Sequence, residues 1–479
     1  MPGYDTIIKG LHRGPNAGSP KEDPVEQLAD FAAHTKLSDI PEDVIEHAKR
    51  ILMDTVGVIL GGSTAPEATA LARRFGQPDK GPSTIIGHGL RSCVLNAALT
   101  NGTSATWLDF DSGHRPPPGK PLLPAAHPPA HLVPATIAAA EALKSSGRQV
   151  LEAMVLGYDV GARIGLASRL RPAIHCHGTY HNISAAVAVS KLKGYNAEQM
   201  KQTIALAAHL TMMPSFENAY QGGTVRNVYA GAGASLGILA SHLAACGFTP
   251  EIDAVGSVFG VVASPWLDPG RITEAIGKRY EITQGFIKAY PMCRFGHPAI
   301  EAAEGLLHKF DFDIKDIAEV VIDTFDWAAT LNDRSPKKDL AAKFSIPWAV
   351  ASMLVRKSAG AFEFSDEGLC DETVRSISAK ITVREDPSYS SMTPAKRPAR
   401  ITLRTKSGQT IVNEVQGSSG GPDAPLSDET IQAKFKSLAD PLIGAQRTAT
   451  AIQTVDQLEE LADICTFTEL LMPDNSISK

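Results

Sequence analysis

The spacing of apolar positions changes once along this chain and then changes back. From about Pro24 to Phe259 they recur at helical intervals. In Pro41–Val56, residues Val44, Ile45, Ala48, Ile51, Leu52 and Val56 share one face. Pro41 and the acids after it suit a helix start, and Gly61-Gly62 predicts its stop. The same spacing predicts helices over Ser92–Trp107, Pro134–Lys144, Gln149–Leu166, Asn182–Leu192, Ala197–Leu210 and Tyr229–Cys246. After about Glu281 the texture alternates instead. Ala318–Thr324, Ser378–Arg384, Ala399–Arg404 and Thr410–Val415 read as strands, and the Gly-containing Thr405–Gln409 loop joins the last two as a hairpin. Helices at Pro298–Lys309 and Ile346–Val355 sit among them. Past Gly420-Gly-Pro422 helical spacing returns, at Asp428–Ala439 and Val455–Ala462. The predicted fold is mainly α. A large all-helical domain is formed by both chain ends, residues 1–283 and 420–479, with an inserted smaller α+β lid domain over residues 284–419.

Three stretches fall outside this pattern. Residues 1–22 lack the apolar run of a secretory signal and read as a disordered lead-in. Eight prolines between Pro116 and Pro134 predict an irregular loop there, and Gly417-Ser-Ser-Gly-Gly421 predicts a flexible crossing. The apolar Val228–Ala245 segment is interrupted by His242 and rich in Gly and Ala, so a closely packed buried helix is expected and no membrane partner. The whole chain of 479 residues is 43% hydrophobic and 20% charged with a net charge of −6, which excludes a basic nucleic-acid face as its main surface. Six scattered cysteines without a CxxC pair suit reduced thiols and a cytoplasmic setting.

Six of the fourteen histidines lie between His114 and His181. They form two bursts, Asp109-Phe-Asp111-Ser-Gly-His114 with His127-Pro-Pro-Ala-His131, and His175-Cys-His177-Gly-Thr-Tyr-His181. Histidine moves protons and binds metal near neutral pH. The metal reading fits poorly: there is no HExxH, the second burst has an i, i+2, i+6 spacing, and Pro128-Pro129 disfavour a helical turn between His127 and His131. A catalytic metal is therefore not expected. The plain alternative for His114, His131, His177 and His181 is a helix-capping or polar core role. Acid–base chemistry needs a base, an acid and fixed positive charge for carboxylates. Arg226 and Tyr229, in Gly222–Gly231, and Lys288, in Ile287–Pro298, supply the basic groups and their surroundings. The plain alternative for Arg226 and Lys288 is solvated surface charge.

The chain resembles the MmgE/PrpD family, which includes 2-methylcitrate dehydratase, cis-aconitate decarboxylase and iminodisuccinate epimerase. The resemblance runs from about Leu28 to Leu471. It rests on Leu52–Gly57, Asn101–Asp111, His127-Pro, His175–Thr179, Thr224–Gly231, Lys288–Ala299 and Ala342–Ser345, taken in order. It implies a homodimer working without a metal or organic cofactor, with the active site between a helical domain and a lid. The family's acidic position falls on Asp109, its histidines on His127 and His175, and its lid lysine on Lys288. His114 matches a pattern of some bacterial members. Arg226 stands where decarboxylase-like members carry lysine, and Thr330 falls loosely where they carry a tyrosine. Arginine is a poor proton donor, and threonine cannot replace a phenol. Both departures point away from decarboxylation. The expected activity is thus a hydro-lyase resembling 2-methylcitrate dehydratase, acting on a small di- or tricarboxylic acid. Decarboxylase and epimerase are alternatives; a metal-dependent hydrolase or a non-catalytic binding protein is a more distant one. One of His127 and His175 would be the base and the other, with Lys288, the acid. Asp109 would orient a histidine. Arg226, His114, Tyr229 and Thr330 would contact substrate.

Overall fold

The computed structural model describes residues 23–78, 80–115 and 127–473. The expected disorder of residues 1–22 and most of the proline-rich loop lie outside them. The chain is mainly α. Its helical part is built on α1 (Glu42–Ser63), α2 (Val94–Trp107), α3 (Pro128–Leu143), α4 (Gly147–Ala167), α5 (His181–Leu192), α6 (Ala197–His209) and α7 (Val228–Ala245). Near the other end, residues from Ile431 to Leu471 join the same apolar core as Leu37 to Ile287.

Close approach of backbones sets this packing. The glycine pair at 61–62 falls in the last turn of α1, which ends at Ser63. A Cβ on Gly62 would lie 2.0 Å from the Ser104 carbonyl oxygen of α2, and one on Gly61 would strike Leu438. The pair is a contact surface for two neighbours, and that need outweighs its low helix propensity. Likewise α2 and α7 cross where a Cβ on Gly102 would lie 2.6 Å from the Gly231 Cα. One helical stretch, Thr224–Ala245, is long and apolar enough to cross a membrane by length and composition. It packs against α2, α3, α5 and α6, as a core helix does.

The prolines also act differently from expectation. Pro128 and Pro129 open α3 instead of preventing it. The first helical positions need no N–H partner, so proline costs nothing there and presets the backbone.

The sheet-bearing part follows β1 (Gly113–His114) and β2 (Gly285–Phe286), a short antiparallel pair. It contains α8 (His297–Lys309), β3 (Ile317–Thr324), α9 (Ile346–Arg356), β4 (Ile381–Glu385), β5 (Ala399–Thr405) and β6 (Thr410–Val415). The strand order is β4-β3-β5-β6; β4 runs parallel to β3 and the other pairings are antiparallel. Ser378, read as strand from sequence, instead ends a short helix, Glu372–Ser378. Apolar residues from Met292 to Ile411, with Ala219, form this part's own core. The chain then returns through α10 (Asp428–Ile443), which packs on α1, and α11 (Ala445–Asp456). The helix expected at Val455–Ala462 is displaced: Thr448, Ala451, Ile452 and Val455 carry the buried face of α11, and Leu458–Glu460 is only a 3₁₀ turn.

Candidate active site

The site begins where α2 ends. Asp109 has a φ of 50°, the left-handed region that Asp tolerates better than most residues. That single turn buries the carboxylates of both Asp109 and Asp111. Two cations converge on Asp109. Arg226 donates to its carboxylate through Nη2, and Lys288 Nζ donates to its carbonyl at 2.6 Å and to its carboxylate at 3.2 Å. Arg226 Nη1 also donates to the Thr106 carbonyl at 3.0 Å, while its buried Nε has no partner among the described residues. Lys288 is 1% exposed and Arg226 2%, so neither is a solvated surface charge. Lys343 extends the group, donating to the Trp107 carbonyl at 2.9 Å; burial lowers its pKa.

Asp109 does not orient a histidine, contrary to the expectation from sequence; Asp111 does. His127 Nδ1 lies 2.8 Å from an Asp111 oxygen and 3.2 Å from the Ser112 carbonyl. Both are acceptors, so Nδ1 carries the proton and Nε2 of a neutral ring keeps its lone pair. His177 Nε2 lies 3.3 Å from the same Asp111 oxygen. Burial pushes the Asp111 pKa up, but the nearby His127 and Lys288 charges outweigh it and hold the carboxyl well below its ordinary value.

The helical start at Pro128 fixes His127. It is the N-cap residue of α3, one turn before His131. The His127 carbonyl accepts from His131 Nδ1 at 3.0 Å, and His131 Nε2 accepts from the Gly178 N–H at 2.9 Å. His131 therefore fastens one histidine burst to the other. His175 sits on that second burst with its Nδ1 accepting from the His177 N–H at 3.0 Å. Its ring proton must then reside on Nε2. Burial, then the Arg226 charge, lowers its pKa well below 6.5 and keeps the ring neutral. Phe216 and Tyr229 flank it, at ring-centroid distances of 4.9 Å and 5.8 Å.

Asp109, Arg226 and Lys288 thus meet in direct contact, and His127 and His175 stand on either side of His177, at ring distances of 4.7 Å and 5.0 Å. His114 and Thr330 are placed elsewhere. His114 Nε2 pairs with Glu281 at 3.2 Å; burial raises that carboxyl, and His114 with Arg279 brings it down to about 2. Thr330 is exposed and donates to the Trp327 carbonyl at 2.7 Å. Tyr220 packs against Phe216 at a ring-centroid distance of 5.3 Å.

Sequence reasoning passed over Asp111, Phe216, Tyr220 and Lys343. The signal for Asp111 was present in the Asp109-Phe-Asp111 spacing; the aromatic pair gave none. His127, Cys176 and His177 offer ligand atoms within 4.8 Å of one another, a grouping that linear spacing hides. Burial pushes the Cys176 thiol up to about 12, which disfavours the thiolate a metal would want.

Against known proteins, residues 26–264 match the MmgE/PrpD N-terminal domain and residues 290–460 the MmgE/PrpD C-terminal domain. The chain belongs to the MmgE/PrpD family. It is 24% identical to the cis-aconitate decarboxylase of Aspergillus terreus, over 93% of this chain and 95% of that one. Identity to the cis-aconitate decarboxylase of Mus musculus is 23%, with 93% of each chain covered. It is 25% to the cis-aconitate decarboxylase-like protein oryM of Aspergillus oryzae, over 93% and 96%.

Proposed function

We propose that the protein is a lyase that releases carbon dioxide from a small tricarboxylic acid of the cis-aconitate kind, using side-chain acid–base chemistry. The observation that carries this reading is the paired cation site, Arg226 with Lys288 on Asp109, beside a neutral His175 whose proton lies on Nε2. The full-length likeness to cis-aconitate decarboxylases supports it and favours decarboxylation over the dehydration expected from sequence. In such a substrate the CH₂-borne carboxylate leaves as carbon dioxide. The C–C bonding pair becomes a new double bond, and the old double-bond pair moves onto the carbon beside a remaining carboxylate. Lys288 and the free Arg226 Nε hold the negative charge that spreads onto that carboxylate. His175 Nε2–H then protonates the carbon, leaving the ring as an imidazolate beside the Arg226 charge until solvent returns a proton to Nε2. One acid suffices. Tyr220, packed on the Phe216 ring that flanks His175, is a phenol near this site.

A dehydratase is the second reading, favoured by one observation. Asp111 and His127 form a ready base at His127 Nε2, whereas decarboxylation needs Asp111 only to hold His177, whose N–H fixes His175. A proton NMR screen with cis-aconitate, citrate, methylcitrate and iminodisuccinate, run before and after chelation, tests both. Carbon dioxide loss from cis-aconitate, unchanged by chelation, is expected. Water loss from citrate or methylcitrate would support the second reading. Proton exchange alone would indicate an epimerase, activity that falls with the metal would indicate a metal enzyme, and no turnover would contradict an enzyme altogether. The same proposal carries the homodimer, tested by light scattering of the purified chain.

A further inference from the structure

Three arginines come together behind the histidine wall, and among the described residues only Arg115 is paired with a carboxylate. Arg115 leaves β1, Arg294 precedes α8, and Arg397 precedes β5. Arg115 and Arg294 face the Gly420–Gly421 crossing, and Arg397 lies close enough to both to be repelled by them. The Gly421 Cβ position lies 3.4 Å from Arg115 Nη1 and 3.9 Å from Arg294 Nη2, so both guanidinium groups reach this crossing. Arg294 is 8% exposed, stacks on Phe286 at 5.0 Å, and among the described residues bonds neutral groups, His297 Nδ1 and the Ser418 carbonyl. Arg397 stacks on Phe295 at 5.2 Å, and its buried Nε has no partner. Among the described residues, neither Arg294 nor Arg397 has a carboxylate in ion-pair range; Arg115 has Asp423. Burial and mutual repulsion lower Arg294 to about 9 and Arg397 to about 10. Buried charge without a counter-charge is costly, so such a group calls for an anion from outside.

We propose that Arg115, Arg294 and Arg397 form a second anion site, on the seam between the helical and sheet-bearing parts, for a small oxyanion bearing carboxylate or phosphate groups. It is distinct from the candidate active site. The Phe286 ring stands between the two, 6.0 Å from the His127 ring on one side and 5.0 Å from the Arg294 guanidinium on the other. Guanidinium forks match carboxylate and phosphate oxygens through paired N–H bonds. Because Arg115 comes from the helical part and the others from the sheet-bearing part, a bound anion fastens the two together. The proposal does not depend on which reaction the protein catalyses.

Thermal unfolding and calorimetric titration of the full chain test it, with inorganic phosphate in one arm and tricarballylate in the other, against sodium chloride at equal ionic strength. A saturable rise in Tm is expected with at least one anion. The arm that responds identifies the ligand class. The rise should persist in Lys288→Met, which alters only the candidate active site, and binding should weaken at least 10-fold in Arg397→Gln. Arg115→Gln, at a partly exposed position, repeats the test if Arg397→Gln does not fold, and Arg397→Lys should restore part of the binding. No response to either anion in the unaltered chain overturns the proposal. So does binding that survives both glutamine variants, or that is lost only in Lys288→Met.

Discussion

Two buried groups of positive charge lie on either side of Phe286, and they are built on opposite principles. In the candidate active site every cation is answered from within the chain. Arg226 and Lys288 share Asp109, Lys434 meets Asp54 at 2.6 Å, and Lys343 meets Asp339 at 3.2 Å. On the arginine seam Arg294 and Arg397 have no carboxylate in ion-pair range among the described residues. Internal pairing holds charge in a fixed geometry before any ligand arrives, which suits stabilising charge that develops during a reaction. An unanswered cluster stores repulsion that a ligand relieves, which suits binding.

The largest expected effect probes the internally answered site. Asp111→Asn keeps the shape but removes the negative charge that holds His127 and His177. Turnover should fall by about 10²–10⁴-fold, read by steady-state kinetics; a loss below about 10-fold would separate Asp111 from the chemistry. Next, Asp109→Ala leaves Arg226 and Lys288 buried with their shared counter-charge gone. It should destabilise the protein by about 3–5 kcal/mol in urea unfolding.

Acidification tests the histidine scaffold. His131, lowered to about 4 by burial, is neutral in the folded protein but has a pKa of about 6.5 when unfolded. A depressed histidine favours folding fully above pH ~6.5, and that contribution is lost as pH falls towards ~4. His131→Gln can keep both hydrogen bonds, to the His127 carbonyl and from the Gly178 N–H. It should lose roughly 2–3 kcal/mol less stability than the unaltered protein between pH 7 and 4.5. An equal loss in both would mean that other buried histidines carry the acid response. The smallest effect belongs to the seam. In anion-free buffer, Arg397→Gln should change stability by less than about 1 kcal/mol, since it removes repulsion along with a stacked side chain. A cost as large as that of Asp109→Ala would erase the contrast between the two groups.

Much of this architecture could be read from apolar spacing, because one long helix after another buries a single face and the alternation after Glu281 is unmistakable. Errors came where a residue's usual local meaning yielded to its neighbours. Gly61-Gly62 reads only as a stop, and α1 does end at Ser63, but the pair also gives α2 and Leu438 room to pack. Pro128-Pro129 reads as a break, yet opens α3. In the site, Asp109, Arg226 and Lys288 were each identifiable as chemistry-bearing, but their mutual pairing was not. Two aspartates two residues apart cannot be assigned to their partners until the left-handed turn at Asp109 is known. Phe216 and Tyr220 were invisible, since a lone aromatic carries no signal of what it stacks on.

The most direct measurement is the fate of solvent hydrogen during turnover in D₂O. With cis-aconitate, the unaltered protein should release carbon dioxide and place one deuterium on the carbon protonated by His175. His175→Gln should slow that incorporation at least 100-fold. Deuterium entering at the unaltered rate in His175→Gln, or product forming without deuterium, would contradict the assignment of His175 as the proton donor.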